Sequence, residues 1–138
     1  MKQFLTKTQK IKVTCIVRSN DKILLLRSDQ VVNPEHQPRG GYFDVPSFTV
    51  SFGEDPEVTL QNALEEYFNQ YVEDLSMIDM RHYMTDDATT QVFEVVYLGK
   101  GVGDVQKSER PSKFLFVALS ELETYMFPQE HTDLKKYL

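Results

Sequence analysis

The chain has 138 residues, enough for one domain over residues 1–138 and too few for two separate cores. Apolar residues make up 41% and charged residues 26%, which excludes a disordered or collagen-like chain. Fifteen Lys and Arg stand against 21 Asp and Glu, giving a formal net charge of -6. Because an acidic chain cannot offset a phosphate backbone, we expect no duplex nucleic acid as a partner.

The cysteine content points to a reducing setting. Cys15 is the single cysteine, so no intrachain disulfide can form, and a cysteine-based zinc site would need other ligands. Cys15 lies in an apolar run and is expected to be buried. The sequence after Met1 lacks the apolar stretch of a signal peptide, and no stretch is long enough to span a bilayer. We therefore expect a cytoplasmic protein with no membrane partner.

The first third of the chain has the pattern of a sheet. Apolar runs at 11–17 and 22–27 flank a polar turn at 18–21, which predicts a hairpin. Both runs are nearly continuous, so we expect both faces of these strands to be covered. Residues 28–42 read as a loop, and residues 43–50 as an extended segment with a bend at Pro46.

The clearest helix is predicted from Pro56 to about Tyr71. Asp55 is a suitable N-cap, and Pro56 is tolerated in the first turn. Apolar residues recur at spacings of three and four: Leu60, Ala63, Leu64, Tyr67, Phe68 and Tyr71. The opposite side carries a polar stripe of Asn62, Glu66 and Gln70. This stripe is either a solvated helix face or a surface that binds a ligand through hydrogen bonds.

The second half of the chain predicts three strands and a short helix. Strands at 77–84 and 91–98 flank a polar turn at 85–88, a loop covers 101–111, and a strand covers 113–118. Ser120 and Glu123 match a capping box and predict a helix, with one more helical turn over 132–137. The predicted order of elements is β-β-β-α-β-β-β-α.

This order, together with the segment 44–70, resembles the Nudix (MutT-like) family. The resemblance rests on Gly53-Glu54 before the helix, Val45-Pro46 upstream, a hairpin ending in Leu-Leu-Leu-Arg27 and the segment 116–122. It implies an α/β class fold: a Nudix-type α/β/α sandwich with a mixed sheet. The family motif is G-x5-E-x7-R-E-U-x-E-E-x-G-U, where U is a bulky aliphatic residue.

The motif is degenerate in this chain. Glu54, Leu64 and Glu66 match it. The departures replace the opening Gly, the Arg, the Glu that follows this Arg, the last Glu, the second Gly and the closing aliphatic residue. In that order they are Phe48, Asn62, Ala63, Tyr67, Asn69 and Gln70.

These departures bear on metal binding. In the family, the helix carboxylates hold Mg²⁺ against a diphosphate, and Mg²⁺ prefers carboxylate oxygens. The resemblance implies that Glu54 and Glu66 are catalytic, and that Glu66 and Glu109 ligate the metal. Because one of three helix carboxylates remains, we expect Mg²⁺ binding to be weak or absent. Alternatively, Glu54 complements the helix dipole and Glu109 is a solvated loop acid.

A small phosphorylated ligand is the partner that the resemblance implies. Arg27 and Arg39 are candidate phosphate contacts, and Phe48 and Asn62 are candidate contacts to the rest of the ligand. The alternatives are ordinary surface arginines, core packing of Phe48 and a solvated Asn62. The sequence leaves a homodimer open.

The resemblance implies a relative of Mg²⁺-dependent hydrolases of nucleoside diphosphates linked to another group, with weak or lost activity. The alternative is a non-catalytic module on the same fold that binds a nucleotide ligand or a protein. An unrelated small α/β domain is a third interpretation. Substrate identity is not readable from the motif, since specificity in such a fold lies in the loops.

Overall fold

The described part of the chain is a seven-stranded sheet with one α-helix. A computed structural model describes residues 7–28, 42–85, 88–102, 114–118, 133–134 and 136–137, with side chains omitted at 26–28, 42–43 and 114–118. The elements are β1 (Thr8–Ser19), β2 (Lys22–Ser28), β3 (Tyr42–Asp44), β4 (Ser47–Val50), α1 (Pro56–Phe68), β5 (Tyr71–Met84), β6 (Thr90–Val102) and β7 (Phe114–Ala118).

The sheet is mixed, as predicted. The main strand order is β3-β2-β1-β6-β5, with β4 also pairing β1 and β7 also pairing β2. The β1–β6 pair is parallel, and the other pairs are antiparallel. Among the described residues, no helix is long and apolar enough to cross a membrane.

The predicted hairpin is confirmed but is short. Asn20, with a φ of 56°, makes the turn, and only the last residues of β1 pair with β2. Beyond that point β1 pairs with β4, while β2 pairs with β3 and β7. The extended segment predicted at 43–50 is two strands, because Val45 and Pro46 interrupt the ladder. The Pro46 carbonyl still accepts a hydrogen bond from the Cys15 N–H at 3.0 Å.

Helix α1 begins as predicted and ends earlier. The Asp55 carboxylate accepts the backbone N–H of Glu57 at 2.8 Å and caps the helix. The prediction that the helix continues to about Tyr71 is wrong, because Asn69 adopts a left-handed conformation with a φ of 49°. Its N–H bonds the Glu65 carbonyl at 3.0 Å, which closes the last turn.

Both faces of the sheet carry core residues. On one face, Leu60, Leu64 and Phe68 of α1 pack with Val13 and Val17 of β1. On the other face the buried cluster includes Leu134 of the C-terminal segment. Its members are Ile16, Ile23, Leu25, Val45, Val96 and Leu134. Short helical turns at 133–134 and 136–137 agree with the predicted turn at 132–137, whereas the helix predicted at Ser120 lies outside the described residues.

Strands β5 and β6 are longer than predicted. The pairing of β5 with β6 is irregular between Glu73 and Ser76, and again near Ile78. These irregularities interrupt the alternation of apolar and polar residues from which a strand is predicted. Asp74 in this stretch has a φ of 55°. Because β6 runs to Val102, residues 101 and 102 are strand and not the start of the predicted loop at 101–111. Residues 103–113 lie outside the described part of the chain.

Gly99 on β6 provides a stability prediction. A Cβ at this position would lie 2.0 Å from Cγ1 of Val72 and 3.0 Å from Cδ2 of Leu75. Because Val72 is stiff about χ1, we expect Gly99→Ala to lower the free energy of unfolding by about 1–3 kcal/mol in urea titrations. The double variant Gly99→Ala/Val72→Ala should be more stable than Gly99→Ala alone. A single variant within ~0.5 kcal/mol of the parent would contradict this account.

Candidate active site

The loop entering α1 positions Glu54. The Glu54 N–H donates a hydrogen bond to the Ser51 carbonyl at 3.0 Å and closes a tight turn. Gly53 in this turn has a φ of 84°, a left-handed conformation that favours glycine. The Glu54 side chain is exposed and accepts a hydrogen bond from the Thr59 hydroxyl at 2.8 Å. Its carboxylate therefore lies along the first turn of α1, where a negative charge complements the helix dipole.

Glu66 and Asn62 lie one turn apart on the exposed side of α1. The exposed position of Glu66 is as predicted. Gln70 does not belong to this stripe, so that part of the prediction is wrong. Its side chain is buried beyond the helix end, and Nε2 donates to the carbonyls of Tyr71 at 3.0 Å and Val102 at 2.7 Å.

Two departures from the motif are in contact. Tyr67 replaces the last motif Glu, and its ring stacks on Phe48, which replaces the opening Gly. The ring centroids are 6.1 Å apart and the planes differ by 15°. Both rings are half-buried and pack against the α1 core, while Ala63, at the Glu that follows the motif Arg, is buried. An aromatic stack thus lies between α1 and β4 at the positions of a missing carboxylate and a missing glycine.

The described motif residues do not fit a Mg²⁺ site. A methyl group at Ala63 and a phenol at Tyr67 are not ligands that Mg²⁺ prefers. Among the described residues, no three His, Cys, Asp or Glu side chains come together in a way that could hold a metal. Glu109 and Arg39 lie outside these residues. For Arg27 only the backbone is described, paired with Phe43 of β3.

The sequence segment that contains α1 has no positive side chain of its own. From residue 40 to residue 80 the sequence contains no Lys, Arg or His, while all 15 Lys and Arg and 12 of the 21 acids lie elsewhere. A diphosphate near α1 would meet the negative charge of this segment, and any cation that offsets it has to come from another part of the chain. The net charge of the whole chain, -6, does not show that the acids of this segment lie apart from all the cations. The acids are Asp44, Glu54, Asp55, Glu57, Glu65, Glu66, Glu73, Asp74 and Asp79.

The pKa values of two tyrosines near these acids are raised. Burial raises the pKa of Tyr97 on β6, and the carboxylates of Glu57 and Asp55 raise it further. The Tyr71 hydroxyl donates to Glu65 at 2.9 Å, and this hydrogen bond raises the pKa of the exposed phenol. Both phenols are therefore protonated and neutral at physiological pH, and they add no further negative charge.

A second polar cluster lies on the opposite face of the sheet. Glu94 of β6 is completely buried and accepts a hydrogen bond from the Thr14 hydroxyl, which lies 2.8 Å from the Ser47 hydroxyl. Arg81 of β5 places Nε 3.3 Å from Glu94, and its Nη1 bonds Asp133 at 2.7 Å. Sequence reasoning missed this cluster. The available signal was a single acid inside the apolar run of β6.

The fold has known relatives among solved structures. A MutT structure from work on Aliivibrio salmonicida and Vibrio cholerae has a TM-score of 0.69 at 20% identity, covering 94% of this chain and 95% of that one. The MutT protein of Bacillus halodurans has a TM-score of 0.73 at 17% identity, covering 92% and 80%. The NUDIX domain of Shewanella oneidensis NrtR, complexed with ADP ribose, has a TM-score of 0.71 at 15% identity, covering 93% and 84%.

Comparison by sequence adds no relative: no family model matches the chain, and no curated protein matches it. The similarity is therefore one of structure. It extends over more than nine-tenths of the chain in these three cases. Together with the mixed sheet and the helix that follows the Gly53-Glu54 turn, it establishes that this chain has the Nudix fold.

Proposed function

We propose that this chain is a Nudix-fold protein in which Mg²⁺-dependent hydrolysis of nucleoside diphosphates linked to another group is weak or lost. The stack of Phe48 on Tyr67 carries this proposal. A single lost carboxylate can be replaced by a nearby acid. Here the two carboxylate positions are occupied by Ala63, which is buried, and by Tyr67, which stacks on Phe48. A neighbouring acid could reach these positions only by displacing packed side chains.

Within this proposal, Glu54 and Glu66 are the residues for any residual catalysis. Both are exposed, and Glu54 is held by the Thr59 hydroxyl at 2.8 Å. Glu66 and Glu109 remain the candidates for weak metal contact. We also propose that residues 1–138 form a single domain of a cytoplasmic protein.

The alternative is a non-catalytic module that binds a nucleotide ligand or a protein on the same surface. The absence of Lys, Arg and His from residues 40–80 favours a ligand whose phosphates are held elsewhere, by Arg27 and Arg39. Asn62 is exposed and Phe48 is half-buried, so both remain candidates for contacts to the ligand. The NUDIX domain of NrtR, complexed with ADP ribose, suggests ADP-ribose as the first probe.

Thermal unfolding tests the role of the metal. A ligand that binds the native state raises the melting temperature by mass action. We expect Mg²⁺ alone to cause no shift, and any shift with ADP-ribose to be the same with and without Mg²⁺. Glu66→Gln should leave these curves unchanged, with Glu73→Gln as the matched control on β5.

A Mg²⁺-dependent shift that Glu66→Gln removes, and that Glu73→Gln retains, would show that other acids rebuild a metal site. Isothermal calorimetry of Mg²⁺ with the unliganded protein provides the independent measurement. Tight stoichiometric binding there would contradict the proposal of weak metal affinity.

A further inference from the structure

The side of α1 that points away from the sheet carries exposed carboxylates and exposed apolar side chains. The helix positions concerned recur at spacings of three and four, which places them on one side of α1. The turn before α1 belongs to the same surface, because the Glu54 carboxylate accepts the Thr59 hydroxyl in the first turn of the helix at 2.8 Å. We name this surface the α1 outer face. Its members are Phe52, Glu54, Val58, Asn62, Glu65 and Glu66.

Two apolar side chains of the α1 outer face are open to solvent. Phe52 is 108% exposed and Val58 is 55% exposed. The turn that carries Phe52 is fixed, because the Glu54 N–H bonds the Ser51 carbonyl and the Glu54 carboxylate bonds Thr59. A phenyl ring held in water has an unfavourable hydration free energy. It also offers a flat face on which a cationic or apolar group of a partner can pack.

The carboxylates of the α1 outer face have no ion-pair partner among the described residues. The ion pairs between described residues are those of Arg81 with Glu94 and with Asp133. Glu54 precedes the N-terminus of α1, where the helix dipole favours a negative charge. Glu65 and Glu66 lie in the last turn, where the dipole disfavours a negative charge, and that turn contains no basic residue. The stability of α1 therefore does not explain these two acids.

The charge of the α1 outer face selects the chemistry of its partner. A polyanion, or a second copy of this chain with its net charge of -6, would bring like charge to this surface. A single metal ion needs acids that converge, and no three His, Cys, Asp or Glu side chains of the described residues do so. An extended cationic partner has no such requirement, because each of its cations can reach a separate carboxylate. Charge complementarity therefore favours a basic segment of another protein.

We propose that the α1 outer face binds a positively charged segment of a partner protein. Cationic side chains of the partner pair with Glu65 and Glu66, and an arginine stacks on the Phe52 ring. Arginine fits better than lysine, because its planar guanidinium forms two hydrogen bonds to a carboxylate and stacks on aromatic rings. The inference rests on the protein-binding alternative of the proposed function, in which no tightly held Mg²⁺ neutralises Glu66.

Fluorescence anisotropy with a labelled peptide, Arg-Arg-Leu-Arg-Arg-Leu, tests the proposal on the intact chain. The assay is run at ~0.1 M ionic strength, where exposed charges more than about 10 Å apart are largely screened. We expect a Kd of roughly 100 μM for the parent. Glu65→Gln/Glu66→Gln should weaken binding about tenfold, and Phe52→Ser about threefold.

The matched control is Glu73→Gln/Asp21→Asn, which removes the same number of charges outside the α1 outer face. Asp21 lies in the β1–β2 turn, and Glu73 points away from α1 because the adjacent Val72 packs in the α1 core. The control should bind the peptide with a Kd within about twofold of the parent. Thermal unfolding verifies folding, and Glu65→Gln/Glu66→Gln should melt at or above the temperature of the parent, since both acids oppose the helix dipole.

A parent Kd above about 1 mM would overturn the proposal. Binding that Glu65→Gln/Glu66→Gln retains, or that the control loses equally, would be diffuse attraction to an acidic chain and would also overturn it. ADP-ribose binding that Phe52→Ser removes, without peptide binding, would make the surface a nucleotide contact instead. Calorimetry with Mg²⁺ separates this inference from the proposed function. Tight Mg²⁺ binding contradicts the weak metal affinity, whereas a missing peptide signal without Mg²⁺ binding contradicts this inference alone.

Discussion

Arg81→Met should lower the free energy of unfolding by about 3–5 kcal/mol, because it leaves the carboxylate of Glu94 buried without its cation. Glu94 is completely buried, and Arg81 Nε lies 3.3 Å from it. The exposed end of the same guanidinium bonds Asp133, so the substitution also releases a contact to the C-terminal segment. Because Asp133 is largely exposed, that second contact contributes little.

Urea denaturation measures this effect, and a double-mutant cycle isolates the pair. Glu94→Met removes the charge that Arg81 neutralises, so Arg81→Met/Glu94→Met should be less destabilised than the sum of the two single variants. Lys10→Met on β1 is the control for loss of an exposed strand cation. If Arg81→Met stays within ~0.5 kcal/mol of the parent, the pair does not hold the sheet together.

Hydrolysis of nucleoside diphosphate derivatives by the unmodified chain should be close to background, even with Mg²⁺. A metal contributes several kcal/mol of transition-state stabilisation in such reactions, which corresponds to a rate factor of at least about 100. Without the carboxylates at Ala63 and Tyr67, most of that contribution should be missing. With ADP-ribose, the rate is the phosphate that phosphatase releases from the phosphomonoester products. With nucleoside triphosphates, it is the phosphate that inorganic pyrophosphatase releases from the pyrophosphate product.

Restoring the motif tests whether the departures cause the loss. Asn62→Arg/Ala63→Glu should raise Mg²⁺ affinity and can raise the rate. Adding Tyr67→Glu completes the carboxylate set but removes the stack on Phe48, so we expect it to lower stability by about 2–4 kcal/mol. Robust Mg²⁺-dependent turnover by the unmodified chain, abolished by Glu66→Gln, would contradict a degenerate site and identify a working hydrolase with an unusual motif.

The sequence predicted elements whose signals are local. The hairpin, the Asp55 cap and the start of α1 follow from turn and capping residues that act within a few positions. The helix end was missed because apolar spacing continues past Asn69, although asparagine tolerates the left-handed conformation that stops the helix. This conformation also supports the motif alignment, since Asn69 stands where the motif has glycine.

Features that depend on distant pairing could not be predicted. Phe48 and Tyr67 belong to a strand and a helix separated by a loop, and only the packing of α1 on β4 brings their rings together. The partners of Glu94 come from β1, β5 and the C-terminal segment. Irregular pairing near Asp74 hid the first part of β5, since acidic residues interrupt its apolar alternation.

The burial of Cys15 makes its thiol a probe for local unfolding of β1. The thiol lies in the centre of β1, and burial raises its pKa to about 12. Thiol reagents attack the thiolate, so the folded molecule protects its single sulfur both by access and by protonation. The rate at which a thiol reagent labels Cys15 under native conditions therefore measures how often β1 opens to solvent. A cysteine introduced on the surface would be labelled selectively, without first removing the natural one.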